Sequence, residues 1–155
     1  MPKWIPALLF MLLATPAAAE APTPAAESAK TLPKVHVYKT PTCGCCGKWI
    51  EHMRANGFEV ETTDLRNLNE VKTLNGVPRQ FSSCHTALVG GYVVEGHVPA
   101  TDVIRLLAEQ PSVTGIAVPR MPIGSPGMEG PNPERYRVVT FGSDSPSTTF
   151  AVHGP

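Results

Sequence analysis

What most limits the fold of this chain is a turn carrying three cysteines in four positions, set between a strand pattern and a helix pattern. KVHVYKT, residues 34–40, alternates apolar and polar side chains and is rich in β-branched residues, which predicts a strand. GKWIEHMRANG, residues 47–57, places Trp49, Ile50 and Met53 on one face and ends in Asn56-Gly57, which predicts a helix with its stop. Cys43, Cys45 and Cys46 fill the junction, preceded by Pro41 and interleaved with Gly44 and Gly47. Backbone N–H groups and the dipole at a helix N-terminus favour a thiolate, which is both nucleophile and soft metal ligand. The two glycines leave the backbone free to bend around a bound atom. A C-x-x-C loop removes little entropy from the unfolded chain, so a purely structural staple is the weaker reading.

The rest of the chain continues the alternation. FEVETTDL (58–65) reads as a second strand and RNLNEVKTLNG (66–76) as a short helix ending at Gly76. TALV and YVVEG flank Gly90-Gly91, the signature of a two-residue β-hairpin turn. Pro99 opens a further helix, ATDVIRLLAEQ, with Val103, Leu106 and Leu107 turned inward. Residues 112–134 are rich in Gly and Pro and read as a long ordered loop or wrap-around arm. YRVVTFG and TTFAVHG then read as a terminal strand pair. This order predicts an α/β fold, a mixed sheet flanked by helices.

The front end sets the compartment. MPKWIPALLFMLLATPAAAE has Lys3, an apolar run from Ile5 to Ala14 and three small residues before Glu20, the layout of a secretory signal peptide cleaved after Ala19. The expected organisation is a signal peptide at 1–19, a flexible Ala/Pro-rich linker at 20–33 and one folded domain at 34–155, in the periplasm. The apolar run is too short for stable membrane insertion. With 13 basic against 13 acidic residues, nothing in the charge points to nucleic acid. Outside the cytoplasm thiols oxidise unless a metal or a reductant protects them, so four cysteines in such a chain need a chemical reason.

Three sulfurs from one short loop suit low-coordinate or polynuclear binding of a soft ion, which favours Cu(I), with zinc less favoured. A structural zinc site draws two ligands from each of two separated pairs. Here the second contributor is the single Cys84 with His85. Cys84 precedes the first hairpin strand and is expected at the same end of the sheet as the cluster. The expected metal ligands are therefore Cys43, Cys45, Cys46, Cys84 and His85, with Cys43 and Cys46 as the redox pair. Met53 reads as core. Met121 and Met128 sit in a loop where a thioether has no periodic reason to be, and either metal contact or gap-filling accounts for them. His97 reads as a partner behind the ligands or as a turn residue, His36 and His52 as structural or solvated, and His153 carries no signal.

TPTCGCCGKW, SSCHTALVGGYVVEGHVPA and VPRMPIGSPGME together resemble the CopG-like periplasmic copper-tolerance proteins, over nearly the whole chain from about Val35. The resemblance implies a thioredoxin-like fold, copper bound by the cysteine cluster, and a redox role that interconverts Cu(I) and Cu(II) or thiol and disulfide. Carried over by position, Cys43, Cys45 and Cys46 match the family's cluster and Cys84 its distal cysteine. Thioredoxin-like enzymes usually place a cis-proline before the third strand. This chain has Ser83-Cys84-His85-Thr86 there, with Pro78 several residues earlier, so a metal-facing cysteine takes that place.

Three functions follow as expectations. The first is a copper-binding tolerance protein acting as a copper/thiol oxidoreductase, with a periplasmic redox or copper-efflux protein as partner. The second is a protein thiol–disulfide oxidoreductase using Cys43 and Cys46 alone. The third is a passive module, either a copper chaperone or a zinc-bound structural domain.

Overall fold

The computed structural model describes residue 1, residues 31–142 and residues 146–155. Apart from residue 1, the expected signal peptide at 1–19 lies outside them, as does most of the linker. Within the described part, the chain forms strands β1 (Val35–Lys39), β2 (Val60–Asp64), β3 (Thr86–Val89), β4 (Tyr92–Glu95), β5 (Gly115–Ala117), β6 (Tyr136–Phe141) and β7 (Thr149–His153). Helices α1 (Gly44–Ala55), α2 (Asn69–Leu74) and α3 (Ala100–Glu109) connect them.

All seven strands join one mixed sheet in the order β2-β1-β3-β4-β5-β6-β7. β1 runs parallel to β2 and β4 parallel to β5, and the other neighbours are antiparallel. The α/β architecture of a mixed sheet with flanking helices is the one the sequence predicts. The 112–134 segment departs from its expectation. Gly115–Ala117 is a strand, paired with β4 on one side and β6 on the other. It joins the terminal strand pair to the main sheet. At three residues it is too short to show a period, and its two neighbours rather than its own pattern fix it.

Burial follows periodicity. Trp49, Ile50 and Met53 of α1 and Val103 and Leu106 of α3 pack with Val35, Val37, Val94, Ile116 and Val138 in the main core. Leu32 and Leu107 pack against the same core, partly buried. The opposite face of the sheet carries a smaller cluster, where Val77 and Phe81 pack on Val93, Ala117, Val139 and Phe141. Gly90 and Gly91 take φ of +56° and +86°, the left-handed pair that a tight hairpin turn of this hand requires.

This topology gathers four chain segments at one end of the sheet. Tyr38 of β1 is opposite Thr86 of β3, and Thr86 is opposite Glu95 of β4. Glu95 in turn is opposite Ala117 of β5. The exit of β1, the entry to β3 and the exits of β4 and β5 therefore share an edge. The cysteine loop, Ser83-Cys84-His85, Gly96-His97 and the arm after Val118 all start from it.

Candidate metal centre

Cys43 is the residue just ahead of α1, with extended backbone, and Cys45 and Cys46 occupy the first turn of the helix. The helix thus begins three residues earlier than its apolar face suggests. Cys43 and Cys46 are joined as a disulfide with Cα atoms 5.3 Å apart, while Cys45 and Cys84 are free thiols. The sulfurs of Cys43 and Cys45 lie 3.6 Å apart. Cys84 arrives from the hairpin side, and all four sulfurs lie within 4.8 Å of one another. Cys46 is fully buried, whereas Cys43, Cys45 and Cys84 are half-buried.

A second set of donors shares Cys84. Its sulfur lies 2.9 Å from Nε2 of His97 and 3.3 Å from Nδ1 of His85. Nδ1 of His97 donates to the carbonyl of Pro126 at 2.7 Å. That bond fixes the tautomer in the neutral ring and leaves the Nε2 lone pair facing the sulfur. His85 is completely buried, with its ring 4.4 Å from that of Trp49, and its Nε2 has no partner among the described residues. Trp49 is itself anchored by its indole N–H, which donates to Val98 at 2.8 Å.

The electrostatics follow from burial. Loss of solvent, aided by the neighbouring Cys45 sulfur, pushes the Cys84 thiol up to about 12. Burial, with His97 and Lys72 nearby, holds His85 well below the ordinary histidine range. Burial also lowers His97, against the opposing pull of the Pro126 carbonyl. Both imidazoles are thus neutral at physiological pH and able to donate a lone pair to a metal.

The arm closes over one side. Its turn is held by the Ser125 hydroxyl donating to Pro122 and by the Met128 N–H donating to Ser125. Gly127 has φ +85°, and a Cβ there would come within 2.7 Å of the Cys45 carbonyl and 2.9 Å of the Trp49 nitrogen. Beyond this contact an open cavity of about 440 Å³ is lined by Cys45, Lys48, Ile123, Met128 and Glu129, among others. Met128 therefore shares a cavity with Cys45, whereas Met121 is exposed.

Known proteins share this fold. A family model described as a protein of unknown function, DUF411, matches residues 81–128, from just before Cys84 into the arm. A solved structure of copper resistance protein CopG, Form 2, superposes with a TM-score of 0.75 at 40% identity, covering 79% of this chain and 99% of that one. Form 1 gives a TM-score of 0.75 at 39% identity, with 80% and 99% coverage. The chain belongs to the CopG copper resistance family. No match was found among curated protein sequences.

The CopG fold thus brings Cys43, Cys45, Cys46 and Cys84 together as the sequence suggested, with His85 beside Cys84. His97, left between two roles by the sequence, is the imidazole closest to the Cys84 sulfur. The hairpin register contained that signal: with Thr86 opposite Glu95, two further steps set Cys84 across from His97. Sequence reasoning missed Lys72 and Glu95, which form a buried ion pair at 2.5 Å whose carboxylate bonds to Ser83 and Thr86, the residues flanking Cys84-His85. His52, read as structural or solvated, accepts the Ala100 N–H through Nε2 at the start of α3. His153 pairs with Asp102 at 2.6 Å, far from the cysteines in sequence and joining β7 to α3.

Proposed function

We propose that the protein is an exported, periplasmic copper-binding protein of copper tolerance that couples copper valence to the Cys43–Cys46 disulfide. The observation that carries this reading is the convergence of four sulfurs from two distant segments, two of them already oxidised and two free. Thiolates suit Cu(I), and imidazole nitrogens such as those of His85 and His97 suit Cu(II). A mixed donor set at one edge therefore serves both valences of the substrate ion. The signal-peptide pattern supports export, and among the described residues no helix is long and apolar enough to cross a membrane.

The redox step balances within the site. Two Cu(II) ions each take one electron, the Cys43 and Cys46 thiols release two protons, and one S–S bond forms, leaving two Cu(I). A dithiol partner in the periplasm resets the pair by taking over the disulfide. Cys45 and Cys84 stay outside the bond and retain Cu(I). Adding Cu(II) anaerobically to the fully reduced protein tests this: one Cu(I) forms per thiol lost, with Cys43 and Cys46 as the oxidised residues. Cu(II) bound with neither reduction nor thiol loss makes the protein a passive carrier instead.

A second reading has its own observation. The half-buried Cys43 paired with the fully buried Cys46 is the asymmetry of an attacking and a resolving cysteine in protein disulfide exchange. Turnover of a disulfide-bonded protein substrate by metal-free Cys45→Ser/Cys84→Ser protein favours that activity.

A further inference from the structure

The segment Ser83-Cys84-His85-Thr86 is clamped from behind by one carboxylate. Glu95, the last residue of β4, is completely buried. Its Oε1 accepts the backbone N–H of Ser83 at 2.6 Å and Lys72 Nζ at 2.5 Å, and its Oε2 accepts the Thr86 hydroxyl at 2.7 Å. Lys72 Nζ, also buried, donates in addition to Thr86 Oγ1 at 3.0 Å. The carboxylate thus holds the residue before Cys84 and the residue after His85. Two further bonds complete the grip: Gly96 N–H to the His85 carbonyl at 3.1 Å, and the Ser83 hydroxyl to the Arg120 carbonyl at 2.6 Å.

A buried ion pair is poor value as a source of stability, because desolvating both charges offsets their attraction, and apolar replacements are often neutral or stabilising. What a carboxylate supplies and an apolar residue lacks is acceptors for a backbone N–H and a hydroxyl in fixed directions. We infer that Glu95 is the positioning residue of the distal half-site. It fixes the Cys84 sulfur at the distance from the cysteine cluster that the site requires, and Lys72 is its hydrogen-bonded partner in the interior. In its metal arm this inference rests on the copper reading above; in its thiol arm it does not.

The test compares the parent with Lys72→Met/Glu95→Leu, which removes both charges together, and with Glu95→Gln, which leaves Lys72 unmatched. Denaturant unfolding of the double variant is expected to show a folded protein of reduced stability, because the Ser83 N–H and the Thr86 hydroxyl lose their acceptor. Its Cu(I) affinity, by anaerobic chelate competition, is expected to fall about 10–100-fold, as when a group orienting a metal ligand is lost. In the metal-free protein the Cys84 thiol is expected to react with an alkylating reagent at least several-fold faster, because its loop is released. Parental Cu(I) affinity and parental Cys84 alkylation in a folded double variant overturn the inference. If the double variant does not fold, Glu95→Gln decides by the same alkylation rate. If the parent itself binds no Cu(I), the copper reading fails, and the alkylation rates still decide the role of Glu95.

Discussion

The Cys84 sulfur lies 2.9 Å from Nε2 of His97, an imidazole whose other nitrogen is committed to the Pro126 carbonyl. This contact ties the distal cysteine to the Gly/Pro-rich arm through one neutral ring. It makes the arm part of the site: the carbonyl that sets the histidine tautomer belongs to the residue before Gly127.

Gly127→Ala is therefore expected to damage both stability and the site. Its backbone is left-handed, and the added methyl would meet the Cys45 carbonyl and the Trp49 nitrogen. A loss of about 1–3 kcal/mol is expected from such strain, measured by urea unfolding, with weaker Cu(I) binding as the Pro126 carbonyl shifts away from His97. Ordinary stability would mean that the arm does not press on α1 in solution.

Cysteine accessibility gives a second test. In the disulfide form Cys43 is half-buried and Cys46 fully buried, so after reduction alkylation under native conditions is expected to label Cys43 before Cys46. Mass-spectrometric mapping over a time course reads the order. Equal rates would remove the asymmetry on which an attacking and a resolving role depend.

Copper affinity is expected to rise with pH. The Cys84 thiol, pushed up to about 12 by burial, is protonated at neutral pH in the metal-free protein. Binding Cu(I) through its sulfur must displace that proton, so each unit of pH gained favours binding about tenfold per proton released. The Cys84→Ser variant is expected to show a pH dependence shallower by about one proton. An unchanged slope would take Cys84 out of the ligand set.

Acid stability of the metal-free protein depends on three imidazoles. His52, His85 and His97 are all held below the ordinary histidine value, with burial the largest cause. For such groups the unfolded chain binds protons more readily, so stability is full above the unfolded value near 6.5 and falls as pH drops below it. Unfolding midpoints between pH 7.5 and 5 are expected to decline, and His85→Leu, removing the most deeply buried ring, is expected to flatten the decline. A midpoint independent of pH would mean that these rings titrate alike in both states.

The parts of the fold visible in the sequence are those that carry their own period or turn chemistry. Alternation marked β1, Gly90-Gly91 marked the hairpin, and Trp49, Ile50 and Met53 marked α1. The cysteines were legible because residue type and spacing alone limit what such sulfurs do. β5 was not, since Gly115–Ala117 is a strand only by virtue of the strands on either side of it. Lys72 and Glu95 were hidden for a related reason. A lysine in a short polar helix and a glutamate at a strand end look solvated until the tertiary fold buries them against each other. His97 lay between these cases: the register that sets it opposite Cys84 was available once the hairpin turn was placed.

Anaerobic competition of the reduced protein against a Cu(I) chelator tests the shared four-sulfur site most directly, comparing the parent with Cys45→Ser and Cys84→Ser. The account predicts tight binding by the parent and a loss of about tenfold or more in each variant, since each removes a thiolate ligand from the same ion or cluster. Binding that is weak in the parent and unchanged in both variants would contradict it.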